Sequence, residues 1–426
     1  MMEDQDTKAH IDPKIIVALI SGLVSIVSAM IPMLDAAERN FAMAAFAFLF
    51  ALILMGICVF ILFRKRLYVA IAALLMLAGS AVSGYFAQKV VQTPSALTYL
   101  DASVSVYAGS GERDCRDGSY EQCAFVAPAR MSSYKDRLYV IDGDKIRCLE
   151  RGEAATVPFP SSRYNPRVIR NLEADLYVWA ESRQMESGKY QYFFIRIRNG
   201  ESEVVSEKFE AGAFDASVSD FAFSRGGALW FIRLYDAPGE ASATLNKLTY
   251  DRDADRFGPA EWVADFPYEA EYMKDARMAF DADDNLYVSA PGKGVILRQG
   301  RDEQGFTVFA GEEGEREFND QGRVTFSYPT ALLPENGALY VLDNGTVRRV
   351  RVEGGRAVSC ETLAGVTPDA AKSGKHNVRV LEAGEDVPGS SFLFQPSVEG
   401  DLAFSERGRL LLSDPENSFI YQILEN

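Results

Sequence analysis

Histidine is almost missing from this chain: there are two in 426 residues, His10 and His376. A zinc site built on three histidines therefore cannot be assembled. A Ser-His-Asp triad would depend on His376 alone, which stands in "AAKSGKHNVR" with no nucleophile motif beside it. Basic charge is also short, with 44 Lys+Arg against 60 Asp+Glu and a net charge of −16. Seven of those basic and six of those acidic residues precede residue 95, which leaves the rest of the chain at −17. A domain of that charge repels phosphate backbones, so nucleic acid is excluded as a partner. Calcium loops are missing too. "DADDN" at 281–285 begins like one, but Leu286 stands where such a loop needs glycine, and no glutamate occupies its twelfth position. A hairpin turn explains that stretch, and no cofactor is expected. The open alternative is a calcium ion held by acidic side chains on a central axis.

Charge is absent altogether from three long runs: Ile15–Leu34, Asn40–Phe63 and Leu67–Gln88, each of 20 to 24 residues. At about 1.5 Å per residue, each spans the ~30 Å of a bilayer's hydrocarbon. Residues 1–94 thus read as a membrane anchor with three transmembrane helices, about 15–34, 40–63 and 67–88. Lys8, Lys14 and the Arg64-Lys65-Arg66 turn fall on one side, against Arg39 and Lys89 on the other. This asymmetry puts the N-terminus in the cytoplasm and everything after Lys89 outside it, in a multi-pass protein of the cell membrane. With no ionisable residue inside the runs, an ion or proton path is disfavoured. Ser21, Ser25 and Ser28, with Gly79/Ser83 and Ser80/Gly84, form small-residue faces on which another membrane protein could pack.

Beyond a linker at 95–102 the pattern changes to short runs of period two. "LYVIDGDKIR" at 138–147 returns as "LYVLDNGTVR" at 339–348. The likeness extends upstream, because Pro128 and Pro329 each lie ten residues earlier, and "VYAG" and "VFAG" end at Gly109 and Gly311. Similar triplets start at Leu138, Leu176, Leu229, Leu286, Leu339 and Leu410, most of them after a turn signal. A turn followed by a β-branched or aromatic run marks a hairpin entering its second strand. Six units of four antiparallel strands, each unable to cover its own faces, predict an all-β six-bladed β-propeller over 103–426, with seven blades as the alternative. The last unit stops after three strands, and "SVSVYAG" at 103–109 has no partner of its own. Strand 103–108 is therefore expected to pair with 419–424 and close the ring.

The order Ala-Gly, Asp-Gly, Pro, "LYV-x-D", "[IV]-R" resembles the NHL repeat of β-propeller proteins. "VYAG…DG…P…LYVIDGDKIR" and "VFAG…D-x-G…P…LYVLDNGTVR" carry the likeness, and "SDPENSFIYQI" at 413–423 follows it more loosely. Ala180 and Arg233 replace the usual aspartate in units two and three. The resemblance implies the fold and leaves the chemistry open, because such propellers host binding, scaffolding and several enzyme activities.

Asp142, Asp343 and Asp414 recur at the ends of second strands, where an aspartate caps a turn through backbone N–H groups. Arg348, Arg349 and Arg351 alternate with valines, a pattern expected to face solvent. Cys115 and Cys123 share one loop on the exported side and are expected to form a disulfide, whereas Cys148 and Cys360 are expected to stay unpaired and mostly buried. The long loops 110–127, 312–328 and 366–395 should share one face, turned into the extracytoplasmic space. Loops on a rigid scaffold carry recognition. The expected function is binding or scaffolding of a protein, peptide or envelope ligand on that face, with catalysis disfavoured and left open. The alternatives are a divalent-cation-dependent hydrolase or lyase, and an accessory subunit of a transport or secretion complex.

Overall fold

A computed structural model describes residues 97–426, apart from 187–188, 212–216, 238–239, 322–323, 368–380, 382–383 and 395–396. The three charge-free runs, His10, His376 and the middle of the 366–395 loop lie outside the described residues. Among the described residues no helix is long and apolar enough to cross a membrane.

Each of the six triplets heads the second strand of its own antiparallel sheet. Blade one comprises Pro128–Tyr134, Arg137–Asp142, Lys145–Glu150 and Glu153–Thr156, with Gly118–Ser119 added at its outer edge. Blade two comprises Tyr164–Leu172, Asp175–Ser182, Tyr190–Arg198 and Glu201–Val204, with Phe209–Ala211 also pairing to its third strand. Blade three is built from Ser217–Phe223, Leu229–Ala237, Glu240–Leu248 and Glu261–Asp265. Blade four holds Met278–Phe280, Leu286–Ala290, Val295–Gln299 and Thr307–Gly311, and blade five Pro329–Glu335, Ala338–Asp343, Thr346–Glu353 and Arg356–Ala364. Blade six takes Leu402–Phe404, Leu410–Asp414 and Phe419–Glu425, then borrows Ala102–Ala108, with Asp386–Pro388 outermost. The first strands of successive blades touch one another in a closed cycle, so the propeller has six blades.

Closure is antiparallel: Ala102 pairs with Glu425, Val104 with Ile423 and Ala108 with Ile420. The Ala-Gly that ends this strand has a physical reason. Gly109, Gly311 and Gly365 all have positive φ. A Cβ there would lie 2.8 Å from Ser418 O, 2.4 Å from Gly294 O and 2.1 Å from Gly345 O. Each glycine thus lets the fourth strand cross closely over the hairpin between strands two and three, as only glycine can. Gly109 performs this crossing in blade six, though it is some 300 residues away in sequence.

The core is divided six ways, one apolar cluster at each blade interface. Ala102, Leu342, Leu412 and Tyr421 sit between blades five and six; Met131, Leu138, Leu411 and Ile420 between six and one. Alternation along each strand sends one set of side chains to each neighbour, which is why a single sheet of this length is stable only within the ring. The chain entering the ring is itself anchored. Leu100 N donates to Thr362 O, Thr362 N donates to Thr98 O, and the Tyr99 hydroxyl donates to Gly365 O, so part of the 95–102 linker runs along blade five's outer strand.

Candidate functional site

Antiparallel order puts the connections between blades, together with the hairpins joining second and third strands, on one face. Two of those connections, 110–127 and 312–328, are held by buried arginines of the repeated decapeptide. Arg147 Nη1 donates to Ala124 O at 3.0 Å and to Asp142 Oδ2 at 3.1 Å; its Nη2 donates to Arg116 O and Asp117 Oδ1, both at 2.9 Å. Arg348 repeats the arrangement with Thr325 O at 2.5 Å, Asp343 Oδ2 at 3.0 Å, Asn319 O at 2.7 Å and Asp320 Oδ1. Each guanidinium also lies over a phenylalanine, Phe125 or Phe326. Arg348 is fully buried, contrary to the solvent-facing expectation: two residues from buried Val350, it shares that residue's face of the strand, and the incoming loop covers it. Arg349 is partly buried, paired with Glu361 and Glu425.

The three recurrent aspartates divide into two kinds. Asp142 accepts from Val126 N and Ala127 N, and Asp343 from Ser327 N and Tyr328 N, so both fix the incoming loop. Asp414 caps its own hairpin through Glu416 N and Asn417 N. The partner decides this: the third-strand position of Arg147 and Arg348 is Tyr421 in blade six. Burial pushes all three carboxyls up, opposed at Asp142 and Asp343 by the backbone N–H groups and the arginine.

Cys115 and Cys123 are free thiols, which corrects the expected disulfide. Cys123 turns into the apolar interface of blades six and one, while Cys115 faces Arg147, its Sγ 3.6 Å from Nη1. Cys148 and Cys360 are also free, the first half-buried and the second buried. At 281–285, Asp281 accepts from Asp283 N, Asn285 N and Asn285 Nδ2, which is a hairpin turn. Between the start of loop 110–127 and hairpin 416–418 lies a groove of about 540 Å³, lined by Gly109–Arg113, Leu381 and Glu416–Phe419.

The axis carries a charged cluster. In each first strand one position precedes the residue that pairs with the third triplet member: Met131 with Val140, Ile169 with Val178, Phe221 with Phe231, Met278 with Val288, Leu332 with Val341 and Leu402 with Leu412. Around the ring that position reads Arg130, Val168, Asp220, Arg277, Ala331, Asp401. Arg170 of blade two adds a third guanidinium. It donates to Asp220 Oδ1 at 3.1 Å and Oδ2 at 3.0 Å, and its Nη1 is 3.8 Å from Asp401 Oδ2. A blade-two side chain that reaches blade six must cross the central channel. Arg130 of blade one likewise approaches Asp220 of blade three, at 3.7 Å.

Every axial aspartate is engaged. Asp220 also accepts from Met278 N at 3.0 Å, and Asp401 from Met131 N and Leu402 N, both at 3.0 Å. Burial raises the Asp220 carboxyl, and Arg170 and Arg130 pull it back only in part. Among the described residues no group of three or more His, Cys, Asp or Glu is placed to hold a metal ion. The arrangement fixes the blades and presents guanidinium groups to the channel, and its two buried aspartates, Asp220 and Asp401, are both engaged.

No protein-family model matches the chain, and no curated protein matches it. Solved structures share its shape. An auxiliary nutrient binding protein from Bacteroides ovatus is 16% identical, with 76% of each chain covered and a TM-score of 0.55. Virginiamycin B lyase from Staphylococcus aureus is 13% identical, with 76% of this chain and 99% of that one covered and a TM-score of 0.43. Regucalcin, a calcium-binding protein from Agrobacterium tumefaciens, is 10% identical, with 78% and 97% covered and a TM-score of 0.44. Binding proteins and enzymes are both among the neighbours, and the likeness is one of fold.

Proposed function

We propose that this protein is an NHL-like propeller, anchored in the cell membrane by residues 1–94, that binds a protein, peptide or envelope ligand outside the cytoplasm. One observation carries the reading: two connections on the same face are each held in a single shape by a buried arginine that bonds the loop backbone. A loop fixed before binding loses little entropy on binding, so this face is preorganised for recognition. The groove between Gly109–Arg113 and Glu416–Phe419 opens beside the first of these connections, 110–127. The anchor rests on the charge-free runs, and the orientation on the Arg64-Lys65-Arg66 turn.

The test is site-specific photo-crosslinking in intact membranes. A photoreactive residue at Glu121 or Glu315, both exposed on the loops, should give discrete adducts with an envelope component; one at Arg151, on the opposite face, should not. Equal labelling at all three sites, or none at the loop sites, would overturn the reading. One tightly held calcium ion per purified chain would instead favour the hydrolase or lyase alternative.

A further inference from the structure

We infer that the propeller axis binds a small oxyanion, a carboxylate or phosphate group, between Arg130 and Arg277. These residues occupy the equivalent position on blades one and four, which face each other across a six-membered ring. Both are more than nine-tenths buried, at 7% and 1% exposure. In each, Nε and Nη1 are buried and have no hydrogen-bond partner. Both side chains converge on the turn that leads into blade six. Arg277 Nη2 donates to Val398 O at 2.5 Å and Gly400 O at 3.5 Å, and Arg130 Nε lies 3.9 Å from Glu399 Oε2.

Charge distinguishes an anion from water as the occupant. Three guanidiniums reach the axis, and two buried carboxylates answer them. Asp220 and Asp401 are already bonded by backbone N–H groups, and Arg170 donates to Asp220 through both carboxylate oxygens. The remaining positive charge faces Glu399, whose side chain is 61% exposed and too far from Arg130 for a hydrogen bond. Water could satisfy the free N–H groups but would leave that charge balanced only by Glu399, a solvent-exposed carboxylate 3.9 Å from Arg130. An oxyanion does both, accepting from guanidinium N–H groups while displacing Glu399 towards solvent. Glu399 is then a placeholder at the channel mouth, and the arginines form the site.

The experiment is titration calorimetry on the full-length protein in detergent, with sodium acetate and inorganic phosphate as separate probes and sodium chloride at matched ionic strength as the control. Saturable 1:1 binding of one or both probes is expected. Arg130→Gln and Arg277→Gln should each weaken it roughly 10- to 100-fold, the loss expected for charge-assisted hydrogen bonds. Glu399→Gln removes the competing carboxylate and should tighten it roughly threefold or more. The two probes distinguish carboxylate from phosphate specificity. Heat that only follows ionic strength, or affinity unchanged in Arg277→Gln, overturns the inference. Should the arginine variants fail to fold, Glu399→Gln decides, because that side chain is exposed; unchanged affinity there overturns it as well. The probes are small ions and the crosslinking sites lie on the loops, so this outcome and that of the recognition test are independent.

Discussion

Blades one and five hold their incoming loops with ion pairs, whereas blades two and three are joined by rings. In the first pair an aspartate ends the second strand and an arginine stands in the third, so Asp142–Arg147 and Asp343–Arg348 form buried bridges of 3.1 and 3.0 Å. In blades two and three the corresponding residues are Ala180 with Ile195 and Arg233 with Asn246. Their interface is an aromatic cluster instead. Trp179, Phe194, Phe221, Phe231 and Phe257 are all nearly or wholly buried, with Trp179 stacked on Tyr192 and edge contacts throughout. The difference is between two ways of fixing a connection. A bridge that bonds loop carbonyls imposes one loop conformation, while an apolar cluster requires only that volume be filled.

The largest effect should come from Arg348→Leu. It leaves Asp343 and Asp320 buried, each with a fully enclosed carboxylate, and should cost about 3–5 kcal/mol. Arg147→Leu should cost less, because Asp117 is about half exposed and can be hydrated, leaving only Asp142 stranded. Urea unfolding followed through the fluorescence of buried Trp179 measures both. In the contrasting region, Phe194→Ala should lose about 3–5 kcal/mol through its cavity, yet leave protease resistance of loops 110–127 and 312–328 intact, whereas Arg348→Leu should open 312–328 to cleavage. If both variants expose that loop equally, the contrast between the regions fails.

The same contrast explains what could be read from the sequence. Blades one and five are legible because a loop-holding bridge needs particular residues at fixed spacing, and those residues form the repeated decapeptide. The six triplets are legible because each heads a strand with both faces buried. The axis is not, since bulges intervene between Pro128 and Met131, Pro166 and Val168, and Val218 and Phe221, so counting by twos misplaces Arg130 and Asp220. Aligning the units on the third triplet residue and stepping to its partner would have found the Arg, Val, Asp, Arg, Ala, Asp cycle. The cysteine expectation failed for a related reason. Proximity in a loop does not fix side-chain direction, and Cys123 belongs to an apolar interface.

A smaller effect concerns those thiols. Burial pushes Cys148 up to about 11 and raises Cys115, Cys123 and Cys360 as well. All four should remain thiols at about pH 8 and react slowly with iodoacetamide. Half-buried Cys115 and Cys148 should be labelled before buried Cys123 and Cys360. Intact mass under non-reducing conditions should show no bridge. A Cys115–Cys123 disulfide there would mean that Cys123 does not occupy the interface of blades six and one.

The smallest effect belongs to the arginine of the aromatic region. Blade three's insertion, Tyr250–Asp251 paired with Arg256–Phe257, is pinned onto blade two by Arg196, which donates to Asp255 Oδ1 at 2.9 Å, Asp255 Oδ2 at 2.7 Å and Glu203 Oε2 at 2.8 Å. Arg196, and after it the Tyr250 hydroxyl, hold the Asp255 carboxyl well below the usual carboxylate range. A carboxyl depressed in the folded state contributes stability above its unfolded pKa of about 3.9, and that contribution is lost as pH falls towards the folded value. Unlike the bridges of blades one and five, this one is open to solvent on the aspartate side, so salt should weaken it. Asp255→Asn should therefore flatten the fall in stability below about pH 4, with the difference from wild type shrinking in high salt. Identical slopes in the two proteins would mean that the insertion is held by Phe257 in the aromatic cluster and not by Arg196.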